Sequence, residues 1–338
     1  MNANPLRPPW LALALLLASL LLMLLGAGVG STGWESVWNL LDPQTADPLA
    51  WQIVRDIRLP RTMGAWLAGA LLGLAGAVAQ GVFRNPLADP YLLGSASGAS
   101  LGVALAMAAL GASPFALQGL LRLGITGAAF AGAVGAVLLT LLLAKGAHNT
   151  LRLLLAGVVV GVVLGAASSM VLMLSPEIMQ AMQSFMLGST SFVGWGACAL
   201  MAAVLALVVL VAWSLSRVLD GLALGEATAL SLGLPLAPLR MLLIVVMALA
   251  TGTAVAQTGL IAFVGLAAPH LVRSLVRAMH GWLLLLSAGM GAVLLLGADL
   301  LARWLIAPQE LPVGVLTAVL GGTYLLWLMH RRNVQELS

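Results

Sequence analysis

Histidine, cysteine, lysine and serine carry much of protein catalysis, and this chain places them sparsely. Its four histidines, His148, His270, His280 and His330, all fall at the ends of apolar stretches. None belongs to an H-E-x-x-H pattern, which would set two imidazoles on one helix face for zinc. The one cysteine, Cys198, allows neither an internal disulfide nor a thiolate metal cluster. Gly94-Ser95-Ala96-Ser97-Gly98 has the small-residue setting of a serine nucleophile. A nucleophile needs a base within hydrogen-bond reach, and no histidine lies inside an apolar stretch to supply one. Lys145 is not preceded by G-x-x-x-x-G, so no phosphate-cradling loop is encoded. The reading is of no catalytic residue, no metal site, no cofactor and no ATPase activity in this chain.

The elements that surround these residues belong to a membrane. Of 338 residues, 62% are hydrophobic and 8% are charged, where soluble domains carry about 25% charged residues. A soluble enzyme and a nucleic-acid binder are both excluded. The 38 glycines fit a bundle whose helices approach closely in lipid. Nine stretches lack Asp, Glu, Lys and Arg: 8–34, 62–83, 90–121, 123–144, 153–176, 178–216, 241–272, 278–298 and 311–330. A bilayer core needs about 20 apolar residues per helix. The stretch 178–216 holds a short helix near 177–188 and a full span near 193–214. The stretch 241–272, broken by Gly259, Gly265 and Pro269, holds a span to about Gln257 and a short helix over 259–271. These stretches predict an all-α polytopic protein with about ten crossings, the apolar run after Arg7 being a first span rather than a cleaved leader.

Arginine and lysine bias sets the orientation. With the N-terminus inside, ten of the fifteen basic residues, from Arg7, Arg84 and Lys145 to Arg331 and Arg332, lie on the inner side, and both termini are cytoplasmic. The outer five are Arg55, Arg58, Arg61, Arg122 and Arg303, beside acids that include Asp56, Asp299 and Glu310. Two alternatives stand for Arg58, Arg61 and Arg303: an outward dock for a partner, or local pairing with Asp56 and, at i,i+4, with Asp299. The sequence Ala77-Val78-Ala79-Gln80 recurs as Ala254-Val255-Ala256-Gln257, and a proline-marked break comes after each. The two copies lie on helices of opposite direction, as in an inverted-repeat transporter.

A carrier coupled to protons or sodium usually hides an ionisable residue in its bundle, and no span interior here has one. A permease driven by a separate motor needs none. Its motor needs a cytoplasmic handle, and the longest inner loop, about 216–238, reads as two short amphipathic helices parted near Gly225 and stopped by Gly233 and Pro235. An interfacial helix resting on lipid is the alternative.

Six ordered blocks make the reading specific. They are Ile57-Arg58-Leu59-Pro60-Arg61-Thr62; Asn85-Pro86-Leu87-Ala88-Asp89-Pro90-Tyr91-Leu92-Leu93-Gly94; Leu153-Leu154-Leu155-Ala156-Gly157; Leu222-Ala223-Leu224-Gly225-Glu226; Gly259-Leu260-Ile261-Ala262-Phe263-Val264-Gly265-Leu266 with Pro269-His270; and Glu310-Leu311-Pro312-Val313-Gly314. Spread over about 50–330, they resemble the permease family of ABC importers for iron–siderophores, heme and cobalamin, the FecCD/BtuC-like, type II permeases. The resemblance implies a homodimer in the bacterial inner membrane, ten helices per subunit and a pore on the two-fold axis. Two ATPase subunits would bind below, and a periplasmic substrate-binding protein above. It further implies that Arg58, Arg61 and Arg303 dock that binding protein, and that Leu224, Gly225, Glu226 and Ala227 engage the ATPase. Asn85, Leu87, Asn149 and Thr150 match the inner gate, although His148-Asn149-Thr150-Leu151 carries fewer hydroxyls than some members. Heme is the expected cargo, on overall similarity to hemin permeases, ahead of ferric siderophores and cobalamin.

Overall fold

The structure is a computed structural model and describes residues 6–30, 33–34, 48–110, 119–147, 149–231, 233 and 235–336. His148 lies outside the described residues, as do the side chains of Arg122, Arg331 and Arg332. The chain's described residues are helical almost throughout. Its helices are α1 Pro8–Gly28, α2 Pro48–Ile53, α3 Leu59–Phe83, α4 Ser95–Leu110, α5 Gly119–Leu143, α6 Thr150–Leu174, α7 Met179–Leu187, α8 Trp195–Ser214, α9 Ser216–Ala223, α10 Glu226–Ser231, α11 Leu236–Thr258, α12 Val264–Leu275, α13 His280–Trp304 and α14 Val313–Glu336. The described strands are one two-residue pair, Val29–Gly30 antiparallel to Gly33–Trp34.

Among the described residues, seven helices are long and apolar enough to cross a membrane: α1, Ala50–Phe83, Leu123–Leu143, α6, α8, α11 and α13. Shorter apolar helices occupy Ser95–Leu110 and Val313–Leu326. With the twelve-residue α12 they make ten segments, close to the expected count of about ten crossings, and α7 is the extra short helix expected over 177–188. α12 stays short because its entry is sharp. Gly259 and Phe263 both take positive φ, at 70° and 67°, between the end of α11 and Val264.

α3 forms the axis of the subunit and is buried along nearly its whole length. It packs on α13, α11, α12 and α8. Lipid offers no hydrophobic drive for helix association, so close backbone approach and dispersion must supply it. A Cβ on Gly76 would stand 1.6 Å from the Gly265 carbonyl oxygen, and one on Gly69 would stand 2.3 Å from that of Gly291. Glycine at these crossings lets α3 lie directly against α12 and α13. By contrast, α6 buries Leu153, Gly157, Val160 and Ser168 and turns Val158, Val162, Met170 and Met173 outward.

The two Ala-Val-Ala-Gln copies end α3 and α11, and the elements after each copy come in a similar order. After α3 come a broken segment, the 16-residue α4 and two 25-residue helices, α5 and α6. After α11 come a broken segment, the 12-residue α12, the 25-residue α13 and the 24-residue α14. The directions of the two sets are opposite. Gln80 reaches Arg273 at one end of the bundle, while Gln257 lies with Ser189, Ser191 and Glu310 at the other.

Candidate functional site: two charged ends and a cavity

At the end of the bundle where α3 begins, a buried ion network joins four segments. α2, a π-turn over Val54–Arg58 and α3 run on without a break. This continuous helix carries Arg58 and Arg61 one turn apart. Asp299 is fully buried on α13, and its Oδ1 accepts from Arg61 Nε at 3.2 Å and Nη2 at 3.1 Å. Arg303, one turn on, donates to the other carboxylate oxygen of Asp299, and Thr190 donates its hydroxyl to Oδ1. Arg61 Nη1 reaches both oxygens of Glu310, at 2.9 and 2.8 Å, and Ser191 Oγ donates to Glu310 Oε2 at 3.1 Å. Two guanidiniums and two carboxylates thus balance. Balance matters because an unpaired buried charge is expensive, whereas a paired and hydrogen-bonded one is tolerated.

In the subunit the three arginines expected to dock a partner are turned inward. Arg58, Arg61 and Arg303 are 5%, 8% and 1% exposed. Arg58 Nη1 donates to the Gly28 carbonyl at 3.3 Å, and Arg303 reaches Gly26 O and Thr62 Oγ1, each at 3.4 Å. The i,i+4 Asp299–Arg303 alternative is present. The Arg61–Asp299 pair, 238 positions apart, has no local signal in the sequence. Arg55 and Asp56 are the exposed charges of this segment.

At the opposite end lie the loops. α9 and α10 form the two short helices expected over 216–238, parted at Gly225, whose φ of 111° no L-residue adopts without strain. Leu224 is 69% exposed, and Ala227 and Leu230 are also exposed. Glu226 is half-exposed and paired. It accepts from Arg240 Nη2 at 3.3 Å, and the buried Arg240 also donates Nη1 to the Ala147 carbonyl at 3.0 Å. Glu226 thus ties the start of α10 to α11, while Leu224, Ala227 and Leu230 stay open beside the exposed Thr228. Asp220 accepts from the His280 backbone N–H at 2.9 Å and pairs with Nδ1 at 2.7 Å, tying α9 to the start of α13.

The same end holds the segments matched to the gate. Asn85 Oδ1 accepts the Leu87 N–H at 2.9 Å, a side-chain turn that leaves Leu87 exposed. Asn149 caps α6, its Oδ1 accepting from Arg152 N at 3.0 Å, with Thr150 as the first helical residue. Asp89 Oδ1 accepts the Tyr91 N–H at 2.8 Å, and Tyr91 Oη donates to the Ile261 carbonyl at 3.1 Å. Burial pushes the Asp89 carboxyl above the ordinary carboxylate range, and the Tyr91 N–H partly opposes it. The loop is thereby fastened to the second broken segment. A Cβ on Gly157 would stand 2.2 Å from the Leu92 carbonyl oxygen, so α6 packs directly on this loop.

Beside the ion network lies a cavity of about 230 Å³, lined in part by Phe185, Ser189, Ser191, Gln257, Gly259 and Glu310. Its wall is apolar with a few hydroxyls, an amide and one carboxylate. Among the described residues, no group of three or more His, Cys, Asp or Glu is placed to hold a metal ion. Neither residue type nor spacing marks Thr190, Ser191, Gln257 or Arg240 for these positions; each is placed by helices that meet only in the folded chain.

A bundle of apolar helices, two of which lead into broken segments, with a pair of short amphipathic helices at one end, is the architecture of a membrane permease. Residues 14–331 match the FecCD transport family. The chain belongs to that family, as a permease subunit of an ABC importer. It is 39% identical to the hemin transport system permease protein HmuU of Yersinia pestis, over 97% of this chain and 98% of that one. It is 38% identical to the vitamin B12 import system permease protein BtuC of Salmonella schwarzengrund, over 94% and 93%. The solved structure of an inward-facing conformation of a metal-chelate type ABC transporter superposes with a TM-score of 0.84 at 31% identity, covering 96% of this chain and all of that one.

Proposed function

We propose that two copies of this chain form the pore of an ABC importer that brings an iron chelate, heme, across the bacterial inner membrane. A periplasmic binding protein delivers the cargo and two ATPase subunits drive the cycle. Both termini lie in the cytoplasm. The observation that carries heme is the near end-to-end match to a hemin permease. The vitamin B12 permease stands close behind in identity, so cobalamin and ferric siderophores are the competing outcomes of the test.

The roles follow the family resemblance, and the geometry supports them. Leu224, Ala227 and the Gly225 turn present the apolar face that seats in the ATPase, and Glu226 holds that face in place through Arg240. Asn85 and Leu87 with Asn149 and Thr150 form the inner gate. At the other end Arg58, Arg61 and Arg303 act first inside the subunit. A docking role for them requires the binding protein's acids to replace Asp299, Glu310 and the Gly28 carbonyl. The cargo experiment measures stimulation of ATP hydrolysis in the assembled importer by its binding protein loaded with heme, cobalamin or a ferric siderophore. Heme alone is expected to stimulate. Stimulation by cobalamin and not by heme overturns the cargo assignment.

A further inference from the structure

A second cavity, of about 280 Å³, opens at the loop end. It is lined by Gln80, Gly81, Arg84, Pro86, Ala223, Arg273 and His280. Four elements meet there: the end of α3, the end of α9, the last turns of α12 and the first residue of α13. Two of the seven lining residues carry a permanent positive charge, and none is acidic. Asp220, the nearest carboxylate, occupies His280 Nδ1. Glu226 is held by Arg240, and Asp89 caps its own turn at Tyr91.

Arg84 is the informative residue. It is the C-cap of α3 and sits in the left-handed region, φ 48° and ψ 36°, with its N–H on Gln80 O and Gly81 O. Glycine or asparagine ordinarily fills that position, because a Cβ strains it. Among the described residues the exposed Arg84 guanidinium makes no hydrogen bond or ion pair. Arg273 contributes one donor to Gln80 Oε1 and keeps others for the cavity, since a guanidinium has five. His280 Nε2 lies on the cavity side, 3.4 Å from where a Cβ on Gly81 would stand.

We propose that this cleft binds a phosphate-class anion, the headgroup phosphodiester of an acidic lipid or a free phosphate, held between Arg84 and Arg273. Guanidiniums approaching from two elements match the planar, forked recognition of phosphate oxygens. The site touches Ala223, the last residue of α9, so its occupant would brace the base of the proposed ATPase handle. Loss of heme transport would not bear on it, because the readout is binding by the purified chain.

The test compares wild type with Arg84→Gln and Arg84→Lys in two arms. In one, the chain is placed in phosphatidylglycerol or phosphatidylcholine nanodiscs and retained lipid is counted by native mass spectrometry after extraction. In the other, the detergent-solubilised chain is titrated with inorganic phosphate and its melting temperature is followed. Phosphatidylglycerol retention that falls about tenfold in Arg84→Gln and partly returns in Arg84→Lys identifies the lipid source. A phosphate-dependent rise in melting temperature, present in wild type and absent in Arg84→Gln, identifies the free anion. An Arg84→Gln protein that matches wild type in both arms overturns the proposal, as does a wild type that responds in neither.

Discussion

Replacing Asp299 with asparagine isolates the charge at the centre of the buried ion network. Asp299 is fully buried and receives Arg61, Arg303 and Thr190. Asparagine keeps the shape and one acceptor oxygen but leaves two guanidiniums facing a neutral group. Arg61 retains Glu310, whereas Arg303 keeps only the longer bonds to Gly26 O and Thr62 Oγ1. Breaking a buried ion pair costs about 3–5 kcal/mol. Asp299→Asn is expected near the lower figure and Asp299→Ala near the upper. For a chain of this size that corresponds to a melting temperature lower by roughly 4–7 °C, read by fluorescence-detected gel filtration after heating. Arg55→Gln, on the same segment but exposed, is the control and should move stability by less than about 0.5 kcal/mol. If Asp299→Asn melts with wild type yet no longer responds to the binding protein, the arginines are free to face that partner and the internal network is not what holds them.

Gly76→Ala should prevent assembly of the bundle, since the new methyl would stand 1.6 Å from the Gly265 carbonyl oxygen. The expected cost exceeds about 3 kcal/mol, seen as loss of the monodisperse gel-filtration peak, and a normal peak would refute the close α3–α12 crossing. Leu224→Glu should lower ATPase co-purification about tenfold, the order of one buried apolar side chain, without moving the melting temperature. Glu226→Gln, which keeps an acceptor for Arg240, should retain coupling, while Glu226→Arg sets a cation against Arg240 and should lose it. Equal loss in both would place Glu226 in direct contact with the ATPase.

Much of this architecture is legible in one sequence because lipid imposes a simple rule. Charges must leave the hydrocarbon, so the charge-free stretches mark the helices, including the short 259–271 segment that becomes α12. The repeated Ala-Val-Ala-Gln marks the ends of the two helices that lead into broken segments. The 216–238 handle is legible for a different reason: glycine and proline punctuate it, and punctuation is local. Arg61, Asp299 and Glu310 are where local reasoning ends. Each reads as a surface charge beside an apolar stretch. Their burial depends on α3, α13 and the segment before α14 meeting in space. Glu226 is similar, since its partner Arg240 lies 14 positions on, beyond a turn whose course periodicity does not give.

The central claim is that this chain is a pore that hydrolyses nothing itself and moves its cargo only when a partner ATPase works. The direct measurement is heme uptake into proteoliposomes that contain the chain with its ATPase, with the binding protein outside and ATP enclosed. Uptake is expected only with all components present. It should vanish when ATP, the ATPase or the binding protein is omitted, and collapsing the proton and sodium gradients should leave it unchanged. Uptake by the chain alone, driven by an ion gradient without ATP, would contradict the account and make the protein a secondary carrier.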